Sequence, residues 1–309
     1  MDLDEGSESD FYGNEEEVAA LHKKANAFDV GKYWSQQSKA HNAYEGVVCA
    51  RQLDETVGQF LARLPPATTR VTLNCPWIYI WNPFVPSDRK IPGQADGDAV
   101  GGGEMTDEFI TRAQKRLDQY KEFVEKNRTK TGRLSAKIKE EGRKFTGDIL
   151  EWAAQLGVTE GKWIIWPAPQ HCNDVWAKVA RATANGELGI AAKISPREEP
   201  DRHRLLCIYT RDFNDKDEVA RVLNRLQEFG LVHEEQKRQI CYKTDAFTYL
   251  GINSKNKMGL EVGKYGSKEI FAYLKEGCSL DKRPCAQVEQ SEAAICLRPK
   301  QGVEKRLNG

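Results

Sequence analysis

Residues 160–196, EGKWIIWPAPQHCNDVWAKVARATANGELGIAAKISP, combine the residue patterns of strands and of a helix. Positions 162–166 are rich in β-branched and aromatic residues, which predicts a strand. Positions 174–183 repeat apolar residues at helical spacing, which predicts a helix. A second strand is predicted at 189–195, so this stretch gives the order strand, helix, strand.

The second strand assigns its side chains to two faces, because successive residues of a strand point to opposite sides of the sheet. Its apolar face is formed by Ile190, Ala192 and Ile194. Lys193 would therefore point away from the core. We expect Trp163 and Trp176 to fill the space between sheet and helix, since large aromatic side chains dominate core burial.

The neighbouring segments extend this pattern into one sheet. A strand at 204–210 follows the previous one so closely that the two should form an antiparallel hairpin. Further strands are predicted at 70–81 and near 239–243, and helices at 53–64, 106–127, 147–157 and 215–229. We predict an α+β fold with one antiparallel sheet and helices on one of its faces.

Composition sets the limits of the domain. The 309 residues are 39% hydrophobic and have no net charge, which does not indicate a globally basic nucleic-acid binder. Residues 1–17 hold eight acidic side chains and predict a disordered tail, 18–274 one domain, and 275–309 a loosely structured tail. No segment predicts a membrane helix. The eight cysteines show no CxxC pair, which is typical of reduced thiols and indicates the cytoplasm or nucleus.

Four motifs in order resemble a known fold: GKWIIW, DVWAKVA, LGIAAKIS and LLCIYTRDFNDKDEV. The series is similar to that of the translation initiation factor 4E fold, the mRNA cap-binding superfamily, over residues 70–245. The full chain resembles more closely the basophilic-leukaemia-expressed protein family. The resemblance implies a curved antiparallel sheet with helices packed on its convex face, and a ligand on the concave face.

In the cap-binding proteins two tryptophans sandwich the base, a glutamate reads its edge, and basic side chains hold the phosphates. By this resemblance Trp152 matches one sandwich ring, but Ala153 stands where the family has the glutamate. Ser195 replaces a phosphate-binding arginine, with Lys193 two residues earlier on the same face. The loop at 82–104, where the second ring is expected, contains no tryptophan. We therefore expect RNA or nucleotide binding rather than high-affinity cap binding.

The predicted binding residues combine rings for base stacking with cations for phosphates. They are Trp81, Trp152, Trp166, Lys193, Ser195, Arg202, Arg204 and Lys243. Two simpler interpretations stay open: Trp152 lies on the apolar side of its helix and would suit a core, and Lys193 could be solvated. The basic run at 126–147 is typical of a solvated helix edge, or could support RNA binding.

Two other functions also remain open. A protein-interaction adaptor would receive a partner on the convex helices, and an apolar patch there would favour it. An enzyme would use His171 and Cys172, and would need these side chains within hydrogen-bonding distance of each other or of an acid. The sequence predicts no metal site and no cofactor.

Overall fold

The structure is a computed structural model that describes residues 18–20, 22–23, 40–86, 104–128 and 135–276. The predicted acidic tail, most of the predicted 82–104 loop and the segment after residue 276 lie outside the described residues. Within them, the chain forms an α+β domain, which confirms the predicted class.

Six antiparallel strands form one open sheet in the order β1-β3-β4-β2-β5-β6. Their bounds are β1 Ile78–Trp81, β2 Gly161–Ile165, β3 Ala191–Ile194, β4 Leu206–Thr210, β5 Cys241–Thr244 and β6 Gly263–Gly266. β3 and β4 pair antiparallel, with Ile194 opposite Leu206, which confirms the predicted hairpin. β2 lies between β4 and β5, so it pairs with strands that come later in the chain.

Seven α-helices with defined bounds accompany the sheet in the described ranges between residues 40 and 276, together with a short 3-10 helix at Pro169–His171. They are α1 Val57–Arg63, α2 Glu104–Asn127, α3 Ala136–Gln155, α4 Cys172–Ala184, α5 Lys216–Glu228, α6 Asp245–Tyr249 and α7 Ser267–Lys275. α3 begins eleven residues earlier than predicted, since Ser135 caps it by accepting from the Ile138 amide at 3.3 Å. The latter half of the basic run thus belongs to α3. Its lysines lie on the exposed side of this helix, and Ile138, Gly142 and Phe145 lie on the buried side.

The main core lies between the helices and one face of the sheet. Trp163 and Trp176 are fully buried there, as predicted. The Trp163 indole donates to the Val219 carbonyl at 3.0 Å, which ties β2 to α5. Gly161 leaves room for Tyr242, because a Cβ at this position would lie 2.3 Å from the tyrosine oxygen.

The opposite face of the sheet carries a second, smaller core. The segment of residues 40–51, here called the cover, packs on this face, and its Tyr44 and Ala50 cluster with Tyr79 and Trp81 of β1. The end of the cover also pairs with the outer edge of β1: the Arg51 amide donates to the Tyr79 carbonyl at 3.1 Å. The edge of β1 is therefore covered rather than exposed.

A disulfide between Cys49 and Cys75 joins the cover to the turn that precedes β1. The prediction that all cysteines are reduced thiols is wrong for these two residues. The described cysteines Cys172, Cys207 and Cys241 are free. Sequence spacing did not reveal the pair, because the two residues are 26 positions apart and meet only when the cover aligns with β1.

Candidate functional site

Three of the six strands project lysines from the face opposite the helices. Lys193 comes from β3, Lys162 from β2 and Lys243 from β5. We call this surface the lysine face; its described side chains are Trp77, Tyr79, Trp81, Lys162, Ile164, Trp166, Ala191, Lys193, Ser195, Leu205, Cys207, Tyr209 and Lys243. Strand alternation places them together, since the intervening residues belong to the main core.

Lys162 forms a buried ion pair on this face. Its side chain is 4% exposed, and its Nζ lies 2.7 Å from Oδ1 of Asp245, which is 2% exposed. The Tyr209 hydroxyl lies 3.4 Å from the same Nζ. A charged pair removed from water in this way depends on both partners being present, because either one alone would leave a buried charge uncompensated.

Lys193 is fully buried and packs against aromatic rings. Its Nζ lies 4.2 Å from the ring centroid of Trp77 and 5.9 Å from that of Tyr209. These distances are within the range of cation–π attraction, which is strongest over tryptophan. The interpretation of Lys193 as a solvated lysine is therefore wrong, although its predicted orientation away from the main core is correct.

Two tryptophans lie at opposite ends of one row across the lysine face. Extending the strand register by one residue places Trp77 opposite Ser195, and Leu205 opposite both Ser195 and Trp166. Trp166 is 54% exposed and offers a free ring surface. The Ser195 hydroxyl accepts from the Leu205 amide at 2.9 Å and so closes the hairpin. The row combines aromatic surface with the neighbouring lysines.

The structure thus brings together Trp81, Trp166, Lys193, Ser195 and Lys243 of the predicted set. Trp81 is almost completely buried, however, because Tyr44 of the cover packs edge-on against its ring at 6.0 Å. Lys243 is half-buried and lies opposite Lys162 in the strand register. The exposed ring on this face is that of Trp166.

Three predicted residues lie elsewhere. Trp152 is on α3, packs against the main core and has the Arg112 guanidinium 4.1 Å from its ring centroid. Arg204 is buried, with its guanidinium donating to Asp201 at 2.7 Å and to the Pro66 carbonyl at 3.2 Å. Arg202 is exposed in the connection that precedes β4. Trp152 and Arg204 thus contact other parts of the domain, away from the lysine face.

Sequence reasoning missed the residues that hold the two buried lysines in place: Trp77 and Tyr209 of the face, Lys162 itself, and Asp245 beside it. Alternation within GKWIIW predicts that the side chain of Lys162 points to the sheet face away from the core residue Trp163. This signal could have identified Lys162. Asp245 could not be found in this way, since its contact with Lys162 depends on the pairing of β2 with β5.

Comparison with known proteins gives one family. Residues 12–251 match the family described as basophilic leukemia-expressed protein Bles03. The chain belongs to this family. The match contains the cover and five of the six strands, so it spans the whole lysine face of this family member.

The alternative site at His171 and Cys172 has a different character. Cys172 is buried at the start of α4, and its thiol donates to the Pro169 carbonyl at 3.0 Å. Burial raises the pKa of this thiol. Among the described residues the thiol does not pair with the exposed His171, and no group of three or more His, Cys, Asp or Glu side chains could hold a metal ion. A nucleophilic cysteine requires the opposite, a lowered pKa.

We expect Cys172 to react with iodoacetamide at neutral pH about tenfold more slowly than Cys241, because a buried thiol with a raised pKa forms little thiolate. Mass spectrometry of the alkylated peptides at several times measures both rates in one sample. Alkylation of Cys172 as fast as that of the exposed Cys241 would show an activated thiol.

Proposed function

We propose that this protein is a non-catalytic module that binds RNA or a nucleotide on the lysine face, on a scaffold similar to the initiation factor 4E fold. The composition of the face supports this proposal. Three lysines and three tryptophans project from one side of the sheet, and Asp245 pairs with one of these lysines, Lys162. Cations beside rings suit a ligand that combines phosphates with bases.

The base and the phosphate of such a ligand each have a side chain on the lysine face that could bind them. The exposed ring of Trp166 can stack on a base, and such stacking contributes about 1–3 kcal/mol per ring. Lys243 lies on the same face and is half-buried, so its ammonium can approach a phosphate at the surface. Lys193 is adjacent to Trp77 and would add its charge where the face admits the ligand.

High-affinity binding of a methylated cap is not part of the proposal. Trp152, the expected sandwich ring, lies beneath the Arg112 guanidinium in the helix layer, and Ala153 is fully buried. Alanine has no carboxylate, so position 153 offers no group that could bind the edge of a base. A ligand recognised by stacking and phosphate contacts alone would be bound with little sequence preference.

The helix layer gives less support to an adaptor. Large exposed hydrophobic residues in the described ranges are Val48, Val71, Leu73, Phe84, Met105 and Trp166. Only Met105 of these lies on a helix, and the outer surfaces of α2 and α3 are otherwise polar. An apolar patch suited to a partner helix is therefore not formed by the described helices.

Fluorescence titration with a short single-stranded RNA and with GTP tests the proposal. We expect saturable quenching that weakens as salt is added, since phosphate binding releases counterions. Trp166→Ala should raise the Kd about tenfold or more, as loss of one stacked base implies. Lys193→Met keeps the side-chain length but removes the charge, and should also raise the Kd.

The matched control is Lys144→Met, which removes an exposed lysine from α3 in the helix layer. It should leave the Kd unchanged. If Lys144→Met weakened binding as much as Lys193→Met, the ligand would lie on the helices and the assignment to the lysine face would be wrong.

A further inference from the structure

Two of the three lysines of the proposed site, Lys193 and Lys162, are closed off in this structure. Lys193 is 0% and Lys162 3% exposed, so a ligand cannot reach either ammonium without movement of the groups that bury them. The cover packs on side chains that lie around Lys193, in one cluster with Tyr79, Cys207 and Tyr209. Its Tyr44 ring lies 4.8 Å from the ring of Tyr79, which is opposite Lys193 in the strand register.

The cover is held by contacts that can reform after opening. The Tyr79 amide donates to the Cys49 carbonyl at 2.9 Å, and the His41 amide donates to the Pro83 carbonyl at 3.0 Å. The Gln52 side chain holds the segment in a turn, with its amide group donating to the carbonyls of Tyr44, Val47 and Ala50 at 3.1, 3.0 and 3.2 Å. Hydrogen bonds of this kind open and close locally.

One contact is covalent and chemically reversible. The Cys49–Cys75 disulfide fixes the cover to the turn before β1, two residues from Trp77, whose ring packs on Lys193. The bond lies just below the surface: Cys75 is 7% exposed, Val48 next to Cys49 is 72% exposed, and Leu73, two residues before Cys75, is 101% exposed. A reductant can therefore approach the Cys75 sulfur through a small local movement.

We propose that this disulfide is a redox latch on the lysine face, closed when oxidised and released by a dithiol reductant. The inference rests on the proposed function, since it regulates access to the same site. Release frees the cover to leave Tyr79 and Trp81, which opens the face around Lys193 to an anionic ligand.

The chemistry is thiol–disulfide exchange. A thiolate of the dithiol attacks the Cys75 sulfur, breaks the bond between Cys75 and Cys49, and forms a mixed disulfide. The Cys49 thiolate leaves and takes up a proton. The second thiolate of the reductant then attacks the mixed disulfide, releases Cys75 as a thiolate that is protonated, and leaves the reductant oxidised by two electrons.

The test measures RNA binding by the full-length protein in both redox states. We expect the reduced wild type to bind a short single-stranded RNA about tenfold or more tightly than the oxidised one, because the apparent Kd falls as the competent fraction rises. The double variant Cys49→Ser/Cys75→Ser should bind like the reduced wild type. Dithiothreitol should then have no further effect on it, which excludes effects through other cysteines.

A second variant opens the cover without altering the disulfide. Tyr44→Ala removes the ring that packs on Tyr79 and Trp81, and should increase RNA affinity of the oxidised protein. Hydrogen exchange in residues 40–51 should also become faster when the wild type is reduced, with or without RNA.

The outcomes separate the latch from the proposed function. RNA binding of equal affinity in both redox states would overturn the latch and leave the lysine face as a binding site. Absence of RNA binding in either state would overturn the proposed function, and hydrogen exchange would then decide the latch alone. Unchanged exchange in residues 40–51 after reduction would overturn it.

Discussion

Replacing Asp245 by Asn should lower the free energy of unfolding by about 3–5 kcal/mol, because it leaves the Lys162 ammonium buried without its carboxylate. The two side chains are 2% and 4% exposed, so solvent screens the pair only weakly. Urea denaturation at pH 7 measures the loss. The cost arises because the Lys162 ammonium stays buried away from water after the Asp245 carboxylate has been removed.

Lys162→Met/Asp245→Asn provides the decisive comparison. With both charges removed, no ion is left uncompensated, so the double variant should be more stable than Asp245→Asn alone. The exposed pair of Lys126 and Glu122 on α2 is the control, and Glu122→Gln should cost less than about 1 kcal/mol. Losses that simply add in the double variant would contradict a coupled buried pair.

Removal of the disulfide should have the second-largest effect on stability. Cys49→Ser/Cys75→Ser should lower the free energy of unfolding by about 3.5 kcal/mol, the loop-closure value for cysteines 26 residues apart. The physical reason is that the crosslink restricts the unfolded chain. Urea denaturation of the oxidised wild type and of the double variant measures the difference.

Reductant supplies the internal control for that comparison. In dithiothreitol the wild type should unfold close to the midpoint of the double variant, since both then lack the crosslink. A double variant as stable as the oxidised wild type would show that the bond does not constrain the chain. The binding experiments with the reduced protein should be carried out well below this unfolding transition.

Local sequence pattern was sufficient for most of the fold. The strand–helix–strand order of residues 160–196 follows from periodicity, and the hairpin of β3 and β4 follows from the short link between them. The outward orientation of Lys193 follows from alternation. These features depend on residues that are close in the chain, which is why the sequence was sufficient to predict them.

The features that were missed depend on contacts between distant parts of the chain. Asp245 meets Lys162 only because β5 pairs with β2, and Cys49 meets Cys75 only because the cover lies along β1. Burial of Lys193 has the same origin. Trp77, whose ring packs on Lys193, directly precedes β1, and it reaches the lysine only because β1 pairs with β3. Alternation could place the lysine on its face but could not show what lies against it.

Photo-crosslinking of a 4-thiouridine-containing single-stranded RNA to the reduced protein tests the lysine face most directly. Mass spectrometry of the crosslinked peptides identifies the residues in contact. We expect crosslinks in the peptides that contain Trp166 and Lys243, and weaker crosslinking after Trp166→Ala. Crosslinks confined to α2 and α3, or none under conditions where a known RNA-binding protein is labelled, would contradict RNA binding by the lysine face.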